Sequence, residues 1–324
     1  MQTYVDELAA RLPRVAPDLH FAFFPRGRTL SPGEQTAVPW RLWRAGARMV
    51  HFPSPYAPLL APRPYAVTVH DLIHLRFPEH FKVTVGPYYA TVVRAVCAGA
   101  ARVITDDPRT VPDLERFLGV PAAKVRVVPL GASELFMRDG IRPERATRPY
   151  FLYAGNHRAH KDLATLFAAW AALPPGLDVD LCLTGHDDLL AGSVRPRRDR
   201  AELRFLGNVG GERLAELYAG TLALVYPSLC EGFGLPMLEA AATGARVIAS
   251  TSAVPFSLAP YVETFEPGDV RRLLGLMTAA ARNENGDARP KQEAQRFARS
   301  QTWDRCALAT AEVYREILQA KSSR

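Results

Sequence analysis

The chain has 324 residues, of which 48% are hydrophobic and 23% charged, and a formal net charge of +7. This length favours two domains of ordinary size over a single hydrophobic core, and the composition is that of a globular protein. No run of about 20 apolar residues is present, and the first residues lack the order of a signal peptide, so we expect a cytoplasmic protein.

Cysteines and histidines argue against metal and disulfide sites. The four cysteines are far apart and form no CxxC pair, and the eight histidines form no HExxH motif. Neither a disulfide framework nor a zinc site is therefore indicated, and we expect metal-independent chemistry without a cofactor.

The positive charge is concentrated in the first half of the sequence. Residues 1–148 hold 20 Lys/Arg and 13 Asp/Glu, whereas residues 149–324 hold 20 of each. A solvated arginine-rich surface would explain this charge, and so would contact with an anionic membrane or an anionic substrate. Nucleic acid is disfavoured as a partner because no basic and aromatic binding motif occurs.

The first half alternates between strand and helix patterns. Apolar residues at helical spacing predict that the chain starts in a helix over 2–12. Strands are predicted over 21–24, 47–52, 65–69, 102–105 and 125–129, and helices over 85–97 and 111–118. This alternation predicts a parallel, doubly wound sheet. His70 and Asp71 directly follow the third strand, where side chains of such a sheet line a ligand crevice.

A polar segment over 138–149 predicts a linker, after which a second alternation begins. Strands are predicted over 150–154, 178–183, 203–206, 221–226 and 247–249, and helices over 163–173, 212–218, 236–244, 270–282, 292–298 and 303–319. We therefore expect two Rossmann-like domains over 1–140 and 141–302, with a C-terminal helix over 303–324 that packs on the first domain.

Two glutamates bracket a turn that follows the strand over 221–226. Gly232 and Gly234 permit a sharp turn, and Pro236 suits the start of a helix. A helix N-terminus favours phosphate, while Glu231 and Glu239 can accept hydrogen bonds from vicinal hydroxyls. This pattern suggests a sugar-nucleotide site, although spacing alone equally fits a capped helix with surface glutamates.

A cationic turn follows the strand over 150–154. After Gly155 come Arg158, His160 and Lys161, which can neutralise a diphosphate if the turn lies in a crevice. An isolated lysine before a helix is usually a surface residue. Here both this turn and the Glu231 turn are expected at the same edge of one sheet.

Several segments together resemble one enzyme family. The run Tyr226-Pro-Ser-Leu-Cys-Glu-Gly-Phe-Gly-Leu-Pro-Met-Leu-Glu239 closely resembles the signature of retaining glycosyltransferases of family 4. The turn from Gly155 to Lys161 resembles the diphosphate-binding turn of that family. Thr68-Val-His-Asp-Leu72 resembles the acceptor-side domain of bacterial members, many of which are mannosyltransferases.

The resemblance implies a GT-B fold, in which two Rossmann-like domains face a central cleft. Family members begin with a strand and a glycine-rich loop before the first helix, and both are expected to be missing here. The implied catalytic residues are Glu231, His70 and Lys161. The implied substrate-binding residues are Arg158, Lys161, Val209, Gly232, Phe233, Gly234, Leu235, Glu239, Asp71 and Gly155.

The function implied by the resemblance is that of a retaining hexosyltransferase. It would transfer a sugar, with mannose among those implied, from a GDP- or UDP-sugar to a glycan or lipid-linked acceptor. Attack on the front face is implied, with Glu231 as a covalent nucleophile the less favoured interpretation. Such an enzyme would act in the cytoplasm or at the inner face of the membrane. The missing strand and loop leave an alternative open, a catalytically impaired relative that binds a nucleotide sugar or a partner protein.

Overall fold

The computed structural model describes residues 2–24, 34–62, 64–185, 201–283 and 288–322. In chain order its helices are α1 (Gln2–Val15), α2 (Glu34–Arg44), α3 (Ile73–Arg76), α4 (Val85–Tyr88), α5 (Arg94–Gly99), α6 (Thr110–Leu118), α7 (Glu134–Met137), α8 (Leu163–Ala171), α9 (Gly211–Gly220), α10 (Leu235–Thr243), α11 (Val270–Ala281), α12 (Ala288–Ser300) and α13 (Trp303–Ser322). Its strands are β1 (Val50–Phe52), β2 (Tyr65–Thr68), β3 (Arg102–Thr105), β4 (Val125–Val127), β5 (Tyr150–Tyr153), β6 (Asp180–Leu183), β7 (Leu203–Phe205), β8 (Ala223–Tyr226), β9 (Val247–Ser250) and β10 (Glu263–Phe265).

The chain divides into two compact units. Unit 1 comprises Met1–Gly131 together with Trp303–Arg324, and unit 2 comprises Ala132–Thr302. The C-terminal helix α13 thus belongs to the same unit as the start of the chain. The domain boundary at residue 140, inferred from the polar segment, stays a prediction.

Unit 1 is built on a parallel sheet with the order β1-β2-β3-β4 among its described strands. Strand β2 is buried along its whole length, which explains why its residues are apolar except for Thr68, a buried polar residue. The helical segment predicted over 85–97 is present as α4 and α5, joined by a π-helical stretch at Tyr89–Val93. Valines 67, 69, 93, 96 and 103 lie in the core between this helix and the sheet.

Helix α13 is fastened to the rest of unit 1 by charged side chains. Glu316 accepts hydrogen bonds from the Nε atoms of Arg102 on β3 (2.9 Å) and Arg126 on β4 (3.0 Å). These two hydrogen bonds lower the pKa of Glu316 to about 2. Helix α13 also packs along α1, so the first and last helices of the chain cover the sheet together.

Unit 2 contains a six-stranded parallel sheet with the order β10-β9-β8-β5-β6-β7. Strands β5, β6, β8 and β9 are buried on both faces, as expected for a sheet covered by helices on each side. The α/β fold with parallel sheets in two domains is therefore confirmed.

Several sequence predictions of local structure were wrong or incomplete. The apolar run over 21–24 forms no strand, and Phe23 and Phe24 are 53% and 46% exposed. The ring of Phe21 instead lies 6.4 Å from that of Tyr314 on α13, so the run packs through individual side chains. Helices α2, α3 and α7 and the short strand β10 were not predicted.

Candidate functional site

The strand order of unit 2 fixes where a ligand can lie. The chain runs from β5 outward through β6 to β7, then returns to β8 beside β5 and runs outward through β9 to β10. Open α/β sheets bind ligands at such a switch point, outside the carboxyl ends of the two central strands. The turns after β5 and β8 meet there, because the amide of Leu229 donates to the carbonyl of His160 at 2.8 Å.

A buried ion pair joins these two turns. Lys161 ends a short 3-10 turn after β5, and its Nζ donates to Glu231 Oε1 at 2.5 Å. The two side chains are only 8% and 10% exposed. Each charge is largely removed from water, so each depends on the other for compensation. The structure therefore brings together two of the three residues predicted to be catalytic.

Stacked tyrosines lie beneath the ion pair. The rings of Tyr153 and Tyr226, which come from β5 and β8, are 5.5 Å apart at an interplanar angle of 22°. Lys161 Nζ lies 5.6 Å from the centre of the Tyr226 ring, a distance at which an aromatic face attracts a cation. Burial, and then the charge of Glu231, raise the pKa of Tyr226 well above its usual value. Both tyrosines are therefore neutral at ordinary pH, and the Tyr226 ring presents an aromatic face that attracts the ammonium group of Lys161.

Of the two glycines predicted to form the turn before α10, Gly234 has a positive φ and Gly232 does not. Gly234 adopts a left-handed φ of +85° and immediately precedes the first residue of the helix. A Cβ atom at this position would lie 2.3 Å from the terminal methyl of Met237. The amide of Met237 donates to the carbonyl of Gly234 at 3.0 Å. Phe233 is buried and Leu235 half-buried, so the turn is anchored by apolar packing.

Glu239 lies in the second turn of α10, and its side chain is half-buried. Burial of its carboxyl group raises its pKa to about 7. The charges of both Glu231 and Glu239 contribute to the raised pKa of Tyr226, which puts both carboxyl groups in its surroundings. The buried hydroxyl of Tyr218 has no hydrogen-bond partner among the described residues.

The other predicted residues of unit 2 lie in the segments that follow β5 and β7. Gly155 follows β5, and its amide donates to Thr184 Oγ1 at 3.1 Å. Arg158 is exposed and makes no ion pair with a described residue, so its guanidinium is available to a ligand. Val209 is half-buried after β7. A backbone hydrogen bond from Gly185 to Gly207 (2.8 Å) ties the turns after β6 and β7 together.

The two predicted residues of unit 1 have well-defined local contacts. Both follow β2, which pairs in parallel with β3. His70 Nδ1 lies 2.5 Å from Asp106 Oδ2. Asp71 Oδ1 accepts a hydrogen bond from the amide of Ile73 at 3.1 Å. Asp71 therefore stabilises the start of α3, independently of any role toward a substrate.

Asp106 was missed as a candidate site residue. It is only 2% exposed and directly follows β3. The signal was present in the sequence, because a carboxylate at the end of a predicted strand beside the His70 strand should reach the same sheet edge. Asp107, its neighbour, accepts a hydrogen bond from the Nε of Arg109 at 2.9 Å instead.

Among the described residues, no group of three or more histidine, cysteine, aspartate or glutamate side chains could hold a metal ion. No helix in the same part of the chain is long and apolar enough to cross a membrane.

Two protein-family models match the chain. The model for Glycosyltransferase Family 4 matches residues 1–133, and the model for Glycosyl transferases group 1 matches residues 148–275. The second match includes the turns after β5 and β8. The chain belongs to these glycosyltransferase families. It is accordingly a glycosyltransferase of the hexosyltransferase class, as the signature around Glu231 predicted.

Curated relatives are similar over much of the sequence at modest identity. The chain is 25% identical to "O-antigen chain mannosyltransferase B" of Escherichia coli over 307 residues, which cover 89% of this glycosyltransferase and 78% of the relative. Matches to other mannosyltransferases span about half of those relatives or less.

Solved structures show the same fold. Sucrose-phosphate synthase from Thermosynechococcus elongatus superposes with a TM-score of 0.71 at 23% identity, over 92% of this chain and 81% of that one. Anabaena Alr3699/HepE, solved in complex with UDP and glucose, superposes with a TM-score of 0.69 at 19% identity, over 88% and 83%. These neighbours are glycosyltransferases of the GT-B fold, so the predicted fold class is confirmed.

Proposed function

We propose that this glycosyltransferase transfers a hexose from a nucleoside-diphosphate sugar to a glycan or lipid-linked acceptor, with retention of the anomeric configuration. The observation that carries this proposal is the Lys161–Glu231 ion pair at the switch point of unit 2. A buried cation and a buried carboxylate side by side suit a ligand that has a diphosphate next to sugar hydroxyls. No metal or cofactor is part of the proposed reaction.

Each polar group of the turns has a task in this proposal. Lys161, with the exposed Arg158, binds the diphosphate, and Glu231 accepts hydrogen bonds from the hydroxyls of the donor sugar. The backbone over 232–235 contacts the sugar and phosphate at the start of α10. Glu239 binds the ribose, Val209 and the backbone around it contact the base, and Gly155 permits close approach of the turn after β5.

Electrostatics explain how these groups would accelerate transfer. As the glycosidic bond breaks, positive charge develops at the anomeric carbon and negative charge on the departing diphosphate. A fixed cation and a helix N-terminus at the diphosphate stabilise that charge without reorganising water. In front-face retention the departing phosphate oxygen takes the proton of the acceptor hydroxyl, so no covalent nucleophile is required.

The comparisons support two donors as first choices. The Escherichia coli relative is named as a mannosyltransferase, which supports GDP-mannose as a donor. The HepE structure contains UDP and glucose, which supports UDP-glucose. We rank GDP-mannose first because the sequence identity to the mannosyltransferase is higher, 25% against 19% for HepE.

A donor panel tests the activity. Purified protein is incubated with GDP-mannose, UDP-glucose and further sugar nucleotides, with methyl mannoside as acceptor, and products are measured by mass spectrometry. We expect transfer or slow donor hydrolysis with one of them, and proton NMR of the product should show the anomeric configuration of the donor. An inverted product would refute retention.

Matched variants test the site. We expect Lys161→Ala with Glu231→Ala to abolish turnover, whereas Arg213→Ala, which removes an exposed cation paired with Glu144 in the same unit, should have little effect. Full turnover in the double variant would refute the proposed site. Donor binding by wild-type protein without any turnover would instead favour the alternative, a binding protein.

We also propose that unit 1 contacts an anionic membrane surface, at the inner face of the membrane. Helix α2 exposes Trp40 and Trp43 at 55% and 75%, and Arg41 and Arg44 are exposed beside them. The sequence from residue 35 to residue 70 contains no acidic residue. Tryptophan and arginine on one exposed helix suit the boundary between lipid headgroups and acyl chains.

Vesicle co-sedimentation tests this contact. We expect binding to vesicles that contain phosphatidylglycerol, weaker binding at high salt, and loss of binding in Trp40→Ser with Trp43→Ser. Val83→Ser is the matched control, because Val83 is an apolar residue that is 92% exposed elsewhere in unit 1. Equal binding to neutral vesicles, insensitive to salt, would refute the proposal.

A further inference from the structure

A buried carboxylate of unit 1 has a single side-chain hydrogen-bond partner among the described residues. Asp106 directly follows β3 and is 2% exposed. Its Oδ2 lies 2.5 Å from His70 Nδ1, while its Oδ1 has no hydrogen-bond partner among the described residues. A carboxylate that is removed from water without a cationic or hydrogen-bonding partner is strongly destabilising. The imidazole of His70 is therefore what makes this buried charge tolerable.

The histidine is held from two sides. Asp106 fixes one ring nitrogen, and the ring of Tyr4 meets the ring of His70 edge-on at 4.8 Å and 86°. The hydroxyl of Tyr4 is itself 3.1 Å from Thr68 Oγ1 on β2. The ring of His70 therefore has little freedom to turn, and its position is set by β2, β3 and α1 together.

The second nitrogen of His70 is unpaired among the described residues. Nε2 is buried and has no hydrogen-bond partner in the part of the chain that the structure describes, although the whole side chain is 19% exposed. An unpaired buried polar atom is costly, because it has lost its hydrogen bonds to water without gaining others. A ligand oxygen placed against Nε2 would recover that cost.

We propose that Asp106 is a positioning residue, which holds His70 so that Nε2 is presented to an oxygen atom of a sugar substrate. This inference rests on the proposed function, because the sugar is the ligand that a glycosyltransferase supplies. The arrangement follows the rule by which a carboxylate on one ring nitrogen fixes the orientation and tautomer of the other.

The charge of Asp106 also sets how His70 titrates. Burial lowers the pKa of His70, but the charge and hydrogen bond of Asp106 outweigh burial, so the pKa is raised. Removing the charge of Asp106 should therefore lower it. We call Asp106 and His70 the dyad. Four other titratable groups on the described elements around the dyad interact with it, namely Asp71 next to His70, Tyr4 on α1, His51 on β1 and Cys306 on α13.

Histidine NMR tests the dyad without requiring catalysis. Protein labelled with 15N-histidine is titrated with acid, and the His70 signal is identified by its absence in His70→Gln. We expect the pKa of His70 to fall in Asp106→Asn and to stay unchanged in Asp107→Asn, the matched control. Asp107 is equally buried at 2% exposure but pairs with Arg109. An unchanged His70 titration in Asp106→Asn would overturn the proposal.

Ligand additions identify the source of the oxygen. GDP-mannose, UDP-glucose and methyl mannoside are added separately, and a shift of the His70 Nε2 signal with a nucleotide sugar assigns the donor, whereas a shift with the glycoside assigns the acceptor. No shift with any of the three would overturn the proposed contact.

Kinetics separate positioning from folding. We expect kcat/KM to fall about 10-fold to 100-fold in Asp106→Leu, by analogy with carboxylates that orient metal-binding histidines. The loss should be smaller in Asp106→Asn, which keeps a hydrogen-bond acceptor. The pH at which His70 affects the rate should move down in both Asp106 variants, because each removes the charge that raises the pKa of His70, and should stay unchanged in Asp107→Asn. Equal losses of kcat/KM in Asp106→Asn and Asp106→Leu, with no change in the pH profile of the rate, would overturn the proposed positioning role of Asp106. If wild-type protein transfers no sugar, the proposed function fails while the NMR titration still decides the dyad.

Discussion

Separating stability from function at the Lys161–Glu231 pair is the sharpest test of the site. The perturbations are Lys161→Met, Glu231→Gln and the double variant, each close in volume to the residue replaced. Both side chains are about nine-tenths removed from water, and their charged atoms are 2.5 Å apart. A single substitution leaves the other charge buried without its partner, whereas the double substitution removes both charges.

The expected magnitudes follow from this geometry. Breaking a buried pair from one side costs about 3–5 kcal/mol of unfolding free energy, and replacing both partners is often neutral. For a domain of this size, a loss of about 3 kcal/mol lowers Tm by roughly 6–12 °C. Loss of a preorganised group that stabilises transition-state charge lowers kcat by about 100-fold to 1,000-fold. We therefore expect the double variant to recover stability but not activity.

Urea unfolding followed by circular dichroism measures the first quantity, and initial rates with the active donor measure the second. Arg213→Ala with Glu144→Gln is the control cycle, because that exposed pair of unit 2 should contribute only about 0.2–1 kcal/mol. A double variant that is as unstable as the sum of the singles would refute the buried-pair energetics. A double variant with near wild-type kcat would refute the role of the pair in transfer.

Three further predictions concern single positions. A left-handed alanine costs about 1–2 kcal/mol of unfolding free energy, and Gly234→Ala should cost more than this because its Cβ would also press on Met237. Gly176→Ala is the control and should cost only that amount, because Gly176 has φ +87° and open space around it. Equal losses in the two variants would show that the Met237 contact is unimportant. Burial raises the pKa of Glu239 from 4.5 to about 7, so between these pH values the unfolded chain is ionised while the folded protein keeps the proton. The unfolding free energy should therefore fall as pH rises from 4.5 to about 7, and Glu239→Gln should flatten this dependence in urea unfolding. An unchanged pH dependence in the variant would contradict this. Because the pKa of Glu316 is lowered to about 2, Glu316→Gln should destabilise the protein at pH 7, with the difference disappearing as pH falls from 4.5 toward 2; a constant difference would contradict it.

Buried strands were predictable because a parallel sheet covered on both faces leaves continuous apolar runs in the sequence. The runs at β5, β8 and β9 therefore stand out, and the turns after β5 and β8 follow from them. The strand predicted over 21–24 was wrong because an apolar run shows only that side chains seek contacts, and here Phe21 finds them against α13. Helix α2 contains Pro39, and an internal proline normally argues against a helix, so its sequence gave little signal.

Contacts between distant side chains were not predictable in the same way. The strand pattern places Lys161 and Glu231 at one sheet edge, but 70 positions of sequence separate them, and only the packed turns bring their charges together. The stacking of Tyr153 on Tyr226 likewise depends on β5 and β8, two strands that become neighbours through a crossover. Asp106 was overlooked because its role depends on the neighbouring strand, which contributes His70.

The ion pair also bears on which ligands the site would select. A free phosphate could pair with Lys161 but would leave Glu231 buried without its cation, and a free sugar could bind Glu231 but would leave Lys161 without its anion. Each exchange therefore carries the penalty of one unpaired buried charge. A sugar nucleotide replaces both partners at once, because its diphosphate and its hydroxyls are adjacent.

Isothermal titration calorimetry tests this selectivity. We expect GDP-mannose to bind more tightly than GDP does in the presence of free mannose, and we expect Lys161→Met with Glu231→Gln to remove this difference in affinity. Equal affinity for GDP and GDP-mannose in wild-type protein would mean that the pair does not discriminate between them.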